Sequence, residues 1–307
     1  MAKKRKHSKA KQTKGVFDGI DVSKASIAEL EEIVRRYIDR LEIISPSIPA
    51  GTKLYRARVC NKKIGNIKQI APPPSEFITQ RGRLNDIGKR IGYFSYSQRS
   101  ARIEVRPQKG DTLYLTEWAT TEDMYFIHIG YTKRKFKEWH SNRAGWSSEY
   151  PKNIFRFVDA TTSLSETEKQ KYNELSEILS ADIQSPNEYK MSIAIANVFL
   201  QDGPHDGLLY PTVAMHGHSD NFGIKETALK KLKLNWIEVF RTESVKKEVS
   251  EYTAIDSSVT WDGFGYIKWS GRRLQWTLAP RSGLGRFIVK DGRYVVYDSE
   301  GKEISPE

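Results

Sequence analysis

One cysteine in 307 residues, Cys60, has no partner for an intramolecular disulfide, and the chain contains no CxxC or HxxxH ligand pattern. Stapled secreted scaffolds and structural zinc modules are therefore excluded, and a reducing, cytoplasmic setting is expected. Long apolar runs are also missing. The longest, Ile193 to Leu200, is far short of the ~20 residues needed to cross a bilayer. The first residues are basic but have no apolar stretch behind them, so neither a secretory signal nor membrane attachment is expected. No internal repeat or low-complexity block follows residue 15.

Positive charge is abundant but unevenly spread. Lys3, Lys4, Arg5, Lys6, Lys9, Lys11 and Lys14 carry seven of the formal +12, which leaves +5 for the rest of the chain. Residues 1–15 have almost nothing to bury and are expected to form a disordered tail drawn to polyanions by counterion release. Such a tail serves as a solubilising extension with incidental, weak nucleic-acid contact, or as a functional arm toward nucleic acid.

Residues 26 to 44 carry the clearest helical period, with Ile27, Leu30, Ile33, Val34, Tyr37, Ile38 and Leu41 at three- and four-residue steps. Ser26 and Glu29 have the spacing of a capping box, and Pro46 and Pro49 stop the helix. Its wide apolar face predicts docking on the main domain, with a partner protein as the alternative. From Gly51 the pattern turns to short strands at 53–59, 92–95, 112–116 and 125–129, with a helix over 97–106. Further helices are predicted over 163–180 and 188–201, then strands at 207–210 and 236–240. Strands and helices interleave without regular βαβ spacing, so the fold class is α+β. The boundaries read from composition are a tail over 1–15, a helix and linker over 16–49, a main catalytic domain over 50–245 and a small antiparallel β appendage over 246–307. Asp291-Gly292 between two β-rich runs predicts a hairpin in the appendage.

Three separated segments carry the residues of chemical interest. Arg56 and Arg83 offer permanently charged planar forks for phosphate or pyrophosphate, and Asn85 joins Arg83 in the same segment. Tyr93 offers an aromatic wall for a flat base or nicotinamide ring. Glu104 can hold ribose hydroxyls and stabilise the cation that develops when an N-glycosidic bond breaks. Thr212 brings a hydroxyl in a loop fixed by Pro211. Together they suit a site for a phosphorylated sugar.

The order and spacing of these segments resemble the RES domain, a family named for its arginine, glutamate and serine. The resemblance rests on Tyr55-Arg56, on Ala71-Pro72-Pro73 followed by Gly82-Arg83-Leu84-Asn85, on Gly88 five residues before Tyr93, on Glu104 eleven beyond it, and on Gly207-Leu208-Leu209-Tyr210-Pro211-Thr212 followed by Asn221. It spans about residues 50 to 243. It implies a fold similar to ADP-ribosyltransferases and an activity that consumes NAD as substrate, without a metal, by hydrolysis, phosphorolysis or transfer of ADP-ribose to a protein. In this reading Glu104, Arg56 and Tyr93 are catalytic, and Arg83, Thr212 and Asn85 bind the dinucleotide. Many relatives are toxins held by an antitoxin, so an antitoxin or other regulatory partner is implied as well. Thr212 stands where the family has serine, and its β-branch restricts the hydroxyl.

Other features have plainer readings. Tyr55 is expected to point away from Arg56 because strand residues alternate. His216 and His218 lack a third ligand, and Asp202, His205 and Asp206 read as turn formers. The tryptophans and arginines over 261–286 either fill the core of the appendage or stack on single-stranded nucleic acid. The rival function is thus a nucleic-acid-binding protein on an inactive scaffold, using the tail and the aromatic module.

Overall fold

A computed structural model describes residues 17, 19–129, 137, 162–183, 185–201, 203–215, 219–245 and 250–271, together with the strands at 274–276, 286–290, 293–297 and 303–304. The basic tail, His216, His218, Asp202, Arg272, Arg273, Arg281 and the Asp291-Gly292 turn lie outside these residues.

The strands are β1 (Ser47–Ile48), β2 (Lys53–Val59), β3 (Ile91–Ser95), β4 (Thr112–Thr120), β5 (Met124–His128), β6 (Gly207–Pro211), β7 (Asp220–Lys225), β8 (Leu232–Val245), β9 (Ser250–Ser258) and β10 (Leu274–Trp276). They form one ten-stranded sheet in the order β1-β5-β6-β7-β3-β2-β4-β8-β9-β10. Every neighbouring pair is antiparallel except β5 with β6. The helices are α1 (Ile27–Tyr37), α2 (Gln98–Glu104), α3 (Glu166–Ser180) and α4 (Lys190–Gln201). The fold is mixed α and β, built on an open sheet.

Helix α1 begins as its capping signal dictates. The Ser26 hydroxyl accepts from the Glu29 amide at 3.2 Å, and the Glu29 carboxylate accepts from the Ser26 amide at 2.8 Å. It ends seven residues earlier than its apolar period predicts, at Tyr37 rather than residue 44. The hydroxyl of Tyr172 on α3 donates to the Glu42 carbonyl and accepts from the Ile44 amide, which holds this stretch extended. The amides of Phe126 and His128 then donate to the carbonyls of Pro46 and Ile44. Pairing with β5 therefore overrides the helical pattern, and Arg40 at φ 57 makes the turn. The expected docking of the helix on the main domain is what the packing displays: Leu30, Val34 and Tyr37 are buried in a core with Leu175 of α3, Ile195 of α4 and Leu208 of β6.

Side-chain alternation sorts the central strands between layers. In β6, Leu208 and Tyr210 face the helical core, while Leu209 faces a second cluster with Phe94, Phe126 and Phe222. All five β6 residues are buried, as expected of a strand covered on both faces. At the other end α2 covers β2, β4 and β8 through Ala57, Ala101, Leu113, Leu115 and Phe240.

The expected boundary at residue 245 does not separate the sheets. β9 pairs with β8 and β10 with β9, so the main sheet continues to Trp276. Trp261 and Trp269 pack on Ile64, Ile70 and Ile237 of the main domain, and the Trp269 indole N–H donates to the Ile64 carbonyl at 3.0 Å. These tryptophans fill a core shared with residues 60–71 instead of one private to an appendage. A separate three-stranded sheet is formed by β11 (Arg286–Lys290), β12 (Arg293–Tyr297) and β13 (Glu303–Ile304), with Lys290 opposite Arg293 in a hairpin register.

At the crossing of β6 and β7 the backbones come too close for a side chain. A Cβ on Gly207 would sit 2.3 Å from the Gly223 carbonyl oxygen and 2.9 Å from the Phe126 ring. A backbone atom in a two-sided sheet cannot step aside cheaply, so Gly207→Ala should cost about 1–3 kcal/mol or more. Gly263, where an added Cβ meets nothing within 4 Å, serves as the control. Denaturant unfolding of the two alanine variants checks this; equal stabilities would show that the crossing is looser than described.

Candidate active site

A cavity of about 460 Å³ opens among β2, β3, α2 and the segments around α3 and α4. Its walls include Arg56, Arg83, Tyr93 and Glu104, four of the residues singled out from the sequence, together with Ser95, Arg106, Asp182, Tyr189, Tyr210 and Asn221. The volume falls within the range of small-molecule sites.

The sheet itself makes the opening. β2 and β3 are neighbours but register at a single pair, Tyr55 with Ser95. Further along, Arg56 takes the place of the ladder. Its Nη1 donates to the Tyr93 carbonyl at 3.0 Å and its Nε to the Ile70 carbonyl at 3.3 Å. Burial, followed by the neighbouring Arg58 cation, lowers the Arg56 guanidinium to about 10, so it keeps its charge at neutral pH. Arg58 turns to the Gln69 carbonyl instead.

Arg83 reaches the cavity from the loop before β3. Its two terminal nitrogens donate to the carbonyls of Leu179 and Ala181 at 2.7 and 2.9 Å. These lie at the C-terminal end of α3, where unsatisfied carbonyls favour a cation. Its guanidinium also sits 5.8 Å from the centre of the Tyr189 ring. Among the described residues neither Arg56 nor Arg83 is ion-paired, and each spends two of its five N–H donors on backbone. Arg106, by contrast, pairs with Asp182 at 3.2 Å on the exposed rim.

Glu104 ends α2, a short helix opened by a Ser97 cap. Its Oε1 accepts from Asn221 Nδ2 at 2.8 Å, and Asn221 Oδ1 accepts from the Ser95 hydroxyl at 2.8 Å. Ser95 and Asn221 face each other across the β3–β7 ladder, so the backbone register sets this relay. Burial pushes the Glu104 carboxyl up, against the opposing pull of Asn221, Arg83, the Ala214 amide and Arg106.

Tyr93 is fixed at its far end. Its hydroxyl donates to Asn85 Oδ1 at 2.7 Å and accepts from the Leu84 amide at 2.8 Å, which leaves its ring to form cavity wall. Burial holds this phenol well above its usual range. Asn85 thus stands behind Tyr93 and is not among the cavity-lining residues, although a ligand-binding role was expected of it. Thr212 is likewise off the wall. It is fully buried, its amide donates to the Ser219 carbonyl, and its hydroxyl has no hydrogen-bond partner among the described residues. Ser95 is the serine among the lining residues. Tyr55 also borders the cavity while its own hydroxyl donates to Glu117 on the α2 side of the sheet, as alternation predicts.

Sequence reading missed Ser95, although a residue two after Tyr93 on one strand shares its face and could have been found by that rule. It also missed Asp182 and Tyr189, which arrive from the connection between α3 and α4 and carry no spacing signal. Asp206, expected to shape a turn, is buried and paired with Lys231 at 3.1 Å while accepting from the Tyr125 amide. Among the described residues no group of three or more His, Cys, Asp or Glu could hold a metal ion. Nor is any described helix long and apolar enough to cross a membrane.

No family model matches the chain, and no curated protein matches it. The expected RES membership is corrected accordingly: the spacings that motivated it are met by a pattern no family model recognises, and the toxin association and fold name drawn from it fall with it. What stands is the geometry of the cavity.

That geometry has a measurable signature. A carboxyl raised above its unfolded value of about 4.3 favours folding when protonated. Its ionisation therefore costs stability at neutral pH, and the cost disappears as pH falls through the folded value toward the unfolded one. Glu104→Gln, which keeps an acceptor for Asn221, should be more stable than wild type at pH 7 and equal to it near pH 4. Urea unfolding across that pH range checks the point; a gain of the same size at both ends would rule out a desolvated carboxylate.

Proposed function

We propose that the cavity binds a nucleotide of the NAD type and cleaves its nicotinamide–ribose bond. The observation that carries this reading is that one buried, hydrogen-bonded carboxylate shares a cavity with two guanidinium groups that have no acidic partner among the described residues, between walls formed by Tyr93, Tyr189 and Tyr210. Arg56 and Arg83 have donors left for the pyrophosphate, and a flat ring can lie against the tyrosines. As the bond between C1′ and the ring nitrogen breaks, its electron pair leaves with nicotinamide, which becomes neutral, and positive charge develops on the ribose. Glu104, drawn out of water and oriented by Asn221, stabilises that charge more than a solvated carboxylate could. The acceptor then bonds to C1′ and releases its proton; water, phosphate or a protein side chain all satisfy this chemistry. The bond cleavage so written draws on protein groups alone. The half-buried free thiol of Cys60 fits a reducing, cytoplasmic compartment, where NAD is at hand.

Purified protein incubated with NAD should release nicotinamide. Glu104→Ala should slow release by about 100-fold or more while the fold is retained, and Arg83→Ala should act mainly by raising KM. Because the ionised carboxylate does the work, kcat/KM should fall as pH drops through the raised Glu104 value. Product analysis with and without phosphate separates free ADP-ribose, its phosphate adduct and labelled protein. Equal NAD loss with wild type and Glu104→Ala would defeat the proposal, as would no loss with either.

A further inference from the structure

Outside the lining of the cavity, residues 261–269 lie against the 64–70 segment, and their two sides differ in character. Ile267 and Trp269 turn into the core, while Phe264, Tyr266 and Lys268 alternate with them and face solvent. Phe264 is 80% exposed and Tyr266 61%, the first being the most exposed large hydrophobic residue among those described. Leaving such rings in water forgoes the stabilisation that burial would bring.

Fraying does not account for this exposure. Asp262 Oδ1 accepts from the amides of both Phe264 and Tyr266 at 2.9 Å. The Phe264 carbonyl accepts from Asn66 Nδ2, and the Gly265 carbonyl accepts from the Ile67 amide. Gly265 adopts φ 87, and a Cβ there would press on Ile67 at 2.9 Å. The loop is thus tied at nearly every backbone group, with two rings held outward on one face.

Exposed lysines outnumber carboxylates around them, and the carboxylates of Asp262 and Asp256 accept from amides of this segment. Lys62 and Lys63 precede Ile64, whose carbonyl receives the Trp269 indole; Lys68 follows Ile67, which is bonded to Gly265; Lys268 follows Tyr266 on the same face. All four are exposed, and none is ion-paired among the described residues. The nearby carboxylate of Asp262 is occupied by loop amides. Two fixed aromatic faces amid unpaired lysines match what single-stranded nucleic acid offers, bases to stack and phosphates to neutralise.

We propose that Phe264 and Tyr266, with Lys62, Lys63, Lys68 and Lys268, form a binding platform for single-stranded nucleic acid. The platform lies outside the catalytic cavity and does not depend on NAD turnover. Fluorescence anisotropy of the full chain with labelled oligothymidylate and oligouridylate of about 15 nucleotides tests it, the two arms separating DNA from RNA. The double variant Phe264→Ala/Tyr266→Ala should bind the preferred strand about 10- to 100-fold more weakly. Phe264→Trp, which keeps a stacking face, should bind as wild type does. The triple variant Lys62→Gln/Lys63→Gln/Lys68→Gln should flatten the slope of log affinity against log salt by about 2. Because these side chains are exposed, thermal melting should stay unchanged in every variant. Wild-type affinity and salt slope in both the aromatic and the lysine variants would overturn the proposal and place any binding on the basic first 15 residues. Absence of binding to either strand, or equal binding of a duplex, would overturn it as well.

Discussion

The hydrogen bond from Asn221 to Glu104 is the constraint around which the cavity is organised. Glu104 sits at the end of a helix of barely two turns, which by itself would let its side chain swing. The amide that fixes it lies on β7, a strand held between β3 and β6. Because Ser95 anchors the other end of that amide, the orientation of Glu104 is set by the register of two paired strands and not by the helix. Removing the amide would leave a hydroxyl and a carboxylate short of partners in a partly buried site, a cost of about 1–3 kcal/mol for such groups.

Charge balance around this carboxylate is unusual for its lack of closure. Desolvation works against Glu104, and of the arginines that share its cavity Arg56 and Arg83 are bonded to carbonyls, not to acids. Carbonyl bonds hold a guanidinium in place without neutralising it. The same device works twice, once through the strand edge at Tyr93 and once through the end of α3. A buried carboxylate held by Asn221 and two guanidinium groups held by carbonyls are the features on which the proposed nucleotide cleavage rests. Stability is given up to hold them so.

Much of the fold was legible because the strands obey the alternation rule and the helices their capping rule. The residue bounds of β2 follow directly from the pattern at 53–59, and Ser26 caps where its glutamate indicates. Failures came where tertiary partners outvote local pattern. Residues 38–44 carry helical spacing, yet the Tyr172 hydroxyl and the edge of β5 claim their backbone. Composition changes after residue 245, yet β9 pairs with β8 and β10 with β9, since an open sheet edge offers unpaired backbone groups to a further strand. Within the site, the arginines, Tyr93 and Glu104 could be found because each brings a chemistry of its own. Thr212 and Asn85 were misplaced because a hydroxyl or an amide can equally serve the interior, and the pairing of β3 with β7 is what brings Asn221 opposite Ser95.

The central claim is that Glu104 is a desolvated carboxylate whose ionisation is supported by Asn221. Carbon-13 NMR of glutamate side-chain carboxyls, with the Glu104 resonance identified by its loss in Glu104→Gln, reads this directly. Titration should place Glu104 above the ordinary glutamate range near 4.3, and Asn221→Ala should move it higher still, because the donor that favours the charged form is gone. A Glu104 that titrates with the surface glutamates and ignores the loss of Asn221 would contradict the account.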